Sequence, residues 1–76
     1  MPMEKIKAVM HRGRVVETEV PDQMPWELPM RAKQLNEIAH GKDYEVMDLE
    51  PGFYVDGYGR TLEINPDGTI TIHPSD

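Results

Sequence analysis

Histidine is the usual general base and metal ligand near neutral pH, so His11, His40 and His73 are the first residues to test for chemistry. They fall in a hairpin loop, at a helix end and near the C-terminus, and no two share the short spacings of zinc motifs. His40 stands where a partly positive imidazole favours the helix dipole, which is a stability role. Carboxylates are plentiful. Asp43 with Glu45, and Asp48 with Glu50, point to common sides of an extended strand, as i, i+2 acids do on many solvated strands. The Asp67-Gly68 turn lacks the repeated oxygen ligands of a calcium loop. Gly57-Tyr58-Gly59 neither precedes Lys-Ser/Thr nor opens a helix, so it is not a phosphate loop. No catalytic residue, cofactor site or metal site is expected, and the chain reads as a non-enzyme.

Two further groups could bind rather than react. His11-Arg12-Gly13-Arg14, with Lys5 and Lys7 behind it, is the one basic cluster and could touch phosphate. Glu17 and Glu19 are expected to neutralise those lysines, and the net charge of −6 repels a polyanion, which argues against nucleic acid. Trp26 sits with Met24, Met30 and three prolines, residue types that suit the buried centre of an interface. In a domain with one tryptophan, however, the expected role is to anchor the loop and helix onto the sheet.

The elements that position these groups follow from pattern and turn chemistry. Lys5–Met10 and Arg14–Val20 read as a hairpin around His11-Arg12-Gly13, with a three-residue loop and Gly13 left-handed. That register faces Lys5 with Glu19, Lys7 with Glu17 and Val9 with Val15. Pro21, Pro25 and Pro29 end the strand and admit a helix starting between Trp26 and Pro29. Leu28, Ala32, Leu35 and Ala39, with Ile38 beside them, give it one apolar face as far as about His40, and Gly41 terminates it. Tyr44–Leu49, Phe53–Val55 and Arg60–Ile64 read as strands. Asn65-Pro66-Asp67-Gly68 suits a type I turn that sets Ile64 against Ile70 and Leu62 against Ile72. If Phe53 and Val55 face the core, Tyr54 faces away from it.

The order is β-β-α-β-β-β: an α+β domain with one antiparallel sheet of about five strands and a single helix packed on one face. Residues 1–76 form one small domain, comprising the first hairpin (5–20), the Pro-rich loop and helix (21–41) and an acidic β region (43–73). A chain of this length buries roughly 60% of its unfolded surface, so association with another chain is a natural supplement to its core. It has no cysteine, which excludes disulfides and thiolate metal sites. Nothing approaches the ~20 apolar residues of a membrane span, and a cytoplasmic location is expected by default.

Charge divides unevenly. Residues 1–42 carry seven Lys/Arg and six Asp/Glu, whereas residues 43–76 carry eight acids and Arg60 alone. The expected function is therefore a small acidic protein-binding module, an inhibitor or regulator, docking on a basic surface of another protein, with imitation of nucleic-acid charge as one version of that reading. Asp48, Glu50, Tyr54, Asp56, Tyr58 and Glu63 are the expected partner-binding residues. The alternative is a structural, self-assembling protein, with a homodimer as the commonest form.

Overall fold

The computed structural model describes residues 5–74. Met1 to Glu4, which the sequence assigns to the N-terminus, and the last two residues of the tail lie outside them. The elements are β1 (Ile6–His11), β2 (Arg14–Thr18), α1 (Glu27–Ala39), β3 (Tyr44–Leu49), β4 (Gly52–Asp56), β5 (Thr61–Ile64) and β6 (Ile70–His73). All six strands join one sheet in the order β3-β1-β2-β4-β5-β6. The α+β class and the single helix stand. Two expectations change: the described strands number six rather than about five, and the sheet is mixed, because β2 and β4 pair in parallel. Parallel pairing needs a crossover, supplied here by α1 and β3 between β2 and β4.

The first hairpin also differs from its expected register. His11 opposes Arg14 directly, so the loop is the two residues Arg12 and Gly13, both at positive φ (53° and 81°). That is the primed turn whose twist matches a hairpin. Val9 then opposes Glu17 while Met10 opposes Val15, leaving Val16 as a bulge. The bulge lets Val15 join Met10 in the core while Glu17 turns to Arg31 of α1, 3.4 Å away. Charge pairing along β1 is satisfied from its other neighbour. Lys7 lies opposite Asp48 of β3 and meets it at 3.7 Å, and Lys5 meets Glu50 at 3.8 Å.

Helix α1 packs on the β1–β3 side. Val9, Leu28 and Ala32 form its buried contact, with Leu35, Tyr44 and Val46 against them. Asn36 fastens helix to strand: its side chain accepts from the Tyr44 N–H at 2.9 Å and donates to the Tyr44 carbonyl at 3.0 Å. The helix ends one residue earlier than expected. His40, not Gly41, takes the left-handed position at φ 53°, and the His40 and Gly41 N–H groups bond back to the last turn.

The opposite face holds the larger core. Ile6, Ala8, Met10, Val15 and Leu49 from the first three strands meet Leu62 and Ile64 from β5, with Tyr54 and Ile70 packed against them. Ala8 is wholly buried although α1 lies on the other side, so β4–β6 must close over this face. Each large apolar side chain buried there contributes about 1.5–3 kcal/mol. Tyr54 therefore faces inward, correcting the outward placement, and Phe53 and Val55 face solvent instead. The last hairpin has the expected register throughout: Ile64 opposes Ile70, Leu62 opposes Ile72, and Gly68 takes φ 89°.

Candidate protein-docking surface

The acids expected to form a docking face are distributed around the molecule, each with a partner of its own. Asp48 and Glu50 lie at the β3 edge, held by Lys7 and Lys5. Glu63, on β5, sits 3.0 Å from His73 Nε2. Tyr54 donates its hydroxyl to the Glu50 carbonyl at 2.6 Å and is half-buried. Asp43 belongs to the same pattern, 3.2 Å from Arg12. The uneven charge of the two halves thus has a local reason: the basic β1 and its turn lie beside the acidic β3. Lys5 and Lys7 find their counter-charges there, not in Glu17 and Glu19 as expected. Glu19 instead accepts from the Lys7 backbone N–H at 3.0 Å.

Asp56 is the one buried charged residue among those described, 5% exposed. One carboxylate oxygen accepts from the N–H groups of Tyr58 (2.9 Å) and Arg60 (2.8 Å), and the other accepts from Arg60 Nε at 2.7 Å. Burial alone would raise its pKa and is the largest single influence. The Arg60 N–H, the Arg60 guanidinium and the Tyr58 N–H together outweigh it and hold the carboxyl below its ordinary value. Asp56 is therefore committed to ordering the 57–60 turn. That turn presents Tyr58, 86% exposed, with the Arg60 guanidinium 5.2 Å from its ring centroid. Of the six residues expected to bind a partner, Tyr58 alone is a large, freely projecting side chain.

A different surface is assembled at the start of α1. Val20, Met24, Trp26 and Met30 are each about half exposed, with Trp26 at 57%. This corrects the anchoring role: the only tryptophan lies outside both core clusters. The segment carrying it is nonetheless fixed. The Gln23 N–H donates to the Val20 carbonyl at 3.0 Å, and the Gln23 side chain accepts from the Val20 N–H. The Glu27 N–H donates to the Met24 carbonyl at 3.1 Å, while the Glu27 carboxylate accepts from the Met24 N–H. That reciprocal pair closes a turn just ahead of the helix, whose N-cap, Trp26, makes no side-chain capping bond of its own. Pro21, Pro25 and Pro29 stiffen the backbone further. Trp26 and Met30 border a shallow hollow of about 130 Å³ with Gln23, Glu27 and Arg31.

The surroundings of this patch are acidic. Residues 17–31 contain Glu17, Glu19, Asp22 and Glu27 against Arg31 alone, and Arg31 is engaged by Glu17. Sequence reasoning singled out Trp26, Met24 and Met30 but missed Val20 and this acidic rim. The available signal was the placement of Glu27 three residues after Met24, which lets its carboxylate fix the loop at the helix start.

The histidines stay apart in role. His11 stacks on Tyr44 with ring centroids 4.1 Å apart, and His73 pairs with Glu63. Among the described residues, no group of three His, Asp or Glu side chains is placed to hold a metal ion, and no helix is long and apolar enough to cross a membrane. Comparison of the chain with protein-family models, with curated proteins and with solved structures finds no match.

Proposed function

We propose that this protein is a non-catalytic protein-binding module that docks through the Trp26 surface onto an apolar hollow rimmed by basic residues on another protein. The observation that carries the reading is an exposed tryptophan on a segment held rigid by its own hydrogen bonds. Leaving a large aromatic in water gains nothing for folding, whereas tryptophan and methionine are favoured at the centres of interfaces. A pinned segment loses little freedom on docking, so more of the contact energy is left as affinity. Glu19, Asp22 and Glu27 around it favour a basic rim and exclude acidic surfaces. The remaining negative charge works in the same direction at longer range.

This reading keeps the acidic, partner-directed character expected from composition and moves its centre. Asp48, Glu50, Asp56 and Glu63 contribute to the long-range field but are engaged within the chain, so imitation of nucleic-acid phosphate by a row of free acids has less support. Tyr58 serves as a second, smaller contact. The test is affinity capture with wild-type protein and with Trp26→Ser, followed by elution in steps of salt. A basic protein retained by the wild type and lost with Trp26→Ser supports the proposal. Equal retention by both refutes it.

A further inference from the structure

The two edges of the sheet are guarded differently. The β3 edge carries Glu45 and Asp48, charges of the kind that discourage strand-to-strand pairing. The β6 edge reads Ile70-Thr71-Ile72-His73: three β-branched residues, no acid and no lysine. Ile72 is 49% exposed.

The hydrogen-bond phase of the last hairpin determines which backbone groups that edge offers. The Asn65 N–H donates to the Thr69 carbonyl at 2.8 Å, so residues 65 and 69 bond to each other across the hairpin. Bonded and non-bonded pairs alternate in an antiparallel ladder. Glu63–Thr71 and Thr61–His73 are therefore bonded pairs, and Leu62–Ile72 and Ile64–Ile70 are not. The N–H and C=O groups of Ile70 and Ile72 consequently point away from β5, and among the described residues no further strand lies beside β6.

From this we infer that β6 is a self-association edge, whose occupant is β6 of a second copy of this chain, antiparallel across a two-fold axis at Thr71. In that register Ile70 opposes Ile72 of the second copy and Ile72 opposes its Ile70. Each outward-pointing group then meets another, making four backbone hydrogen bonds. Side chains match as well, because isoleucines that face the core meet isoleucines on the same side and Thr71 meets Thr71. The neighbouring register, centred on Ile72, would set Ile70 against Pro74, which has no N–H to donate. The register centred on Ile70 would set Ile72 against Gly68, whose N–H is already bonded to the Asn65 carbonyl, so the arrangement about Thr71 makes the most bonds. An interface of one short strand is small, so the dimer is weak and concentration-dependent. Two copies of net charge −6 repel, and added salt therefore strengthens this dimer, the reverse of its effect on docking to a basic partner.

The test is sedimentation over a concentration series at low and high salt, with amide hydrogen exchange on the same samples. The expected result is a monomer–dimer equilibrium tightened by salt, with protection of the Ile70 and Ile72 amides rising with concentration while Thr71 and His73 are protected throughout. Ile72→Lys, which sets a charge against the isoleucine of the second copy, is expected to weaken association roughly tenfold or more. A monomer at every concentration overturns the inference. So does a dimer that leaves the Ile70 and Ile72 amides unprotected, whatever the variant does. Neither outcome bears on the Trp26 surface, which belongs to a different segment.

Discussion

At the scale of single residues, Asp56 and Trp26 are opposites. Asp56 is a charged group placed inside and fully satisfied; Trp26 is an apolar group placed outside. Because the carboxyl of Asp56 titrates below its unfolded value of 3.8, its contribution is complete above that value and is lost as pH falls through the folded value. Wild-type protein is therefore expected to lose urea resistance as pH drops below about 4. Asp56→Asn, which keeps an acceptor but gives up the charge facing Arg60, should start less stable at neutral pH and lose less on acidification. Parallel pH profiles for the two proteins would show that Asp56 is not the source. Trp26→Ser should change unfolding stability by about 1 kcal/mol or less, as surface substitutions do. Truncating a core aromatic costs about 3–5 kcal/mol, and a loss of that size in urea denaturation would return Trp26 to the core. The sequence alone suggested the core because a lone tryptophan in a small domain usually fills it. In the structure Trp26 lies within the turn closed by the Met24–Glu27 reciprocal bonds, at the N-cap of the helix and outside both cores.

At the scale of elements, legibility followed the range of the interactions involved. The last hairpin could be read in full because Asn65-Pro66-Asp67-Gly68 determines its own turn, and the turn determines the register. Strand β3 was legible from end to end as Tyr44–Leu49. The first hairpin was not, because its bulge at Val16 satisfies contacts made elsewhere: Glu17 with Arg31, Lys7 with Asp48, Val15 with the inner core. Pairing the lysines with Glu17 and Glu19 was reasonable electrostatics applied to the wrong neighbour. The parallel join of β2 and β4 rests on two residue pairs, distant in sequence, and no local pattern announces it. The helix–strand joint makes its own prediction. Asn36→Ala leaves a part-buried N–H and C=O of Tyr44 without partners, which should cost about 1–3 kcal/mol in chemical denaturation. Lys33→Ala, exposed on the same helix, should stay within about 0.5 kcal/mol. Equal effects would mean that Asn36 does not fasten α1 to β3.

At the scale of the whole molecule, charge and apolar surface are sorted in different ways. The basic β1 is laid beside the acidic β3, so the steep charge division of the sequence becomes cross-strand neutralisation, worth little per exposed pair but consistent in sign. The exposed apolar residues group at the Trp26 segment and on the outer face of β4 at Phe53 and Val55, with Val16, Ile38, Met47, Tyr58 and Ile72 exposed elsewhere. The fold thus covers its two cores and leaves the Trp26 segment open, rimmed by Glu19, Asp22 and Glu27, whose negative charges meet no cation of the chain among the described residues. The measurement that tests this most directly is an equilibrium titration of the captured partner with wild-type protein and with Trp26→Ser, at two ionic strengths. The account predicts that the variant binds more weakly by about 2 kcal/mol or more, roughly 30-fold, and that salt weakens wild-type binding. Equal affinities for the two proteins, or binding indifferent to salt, would contradict it.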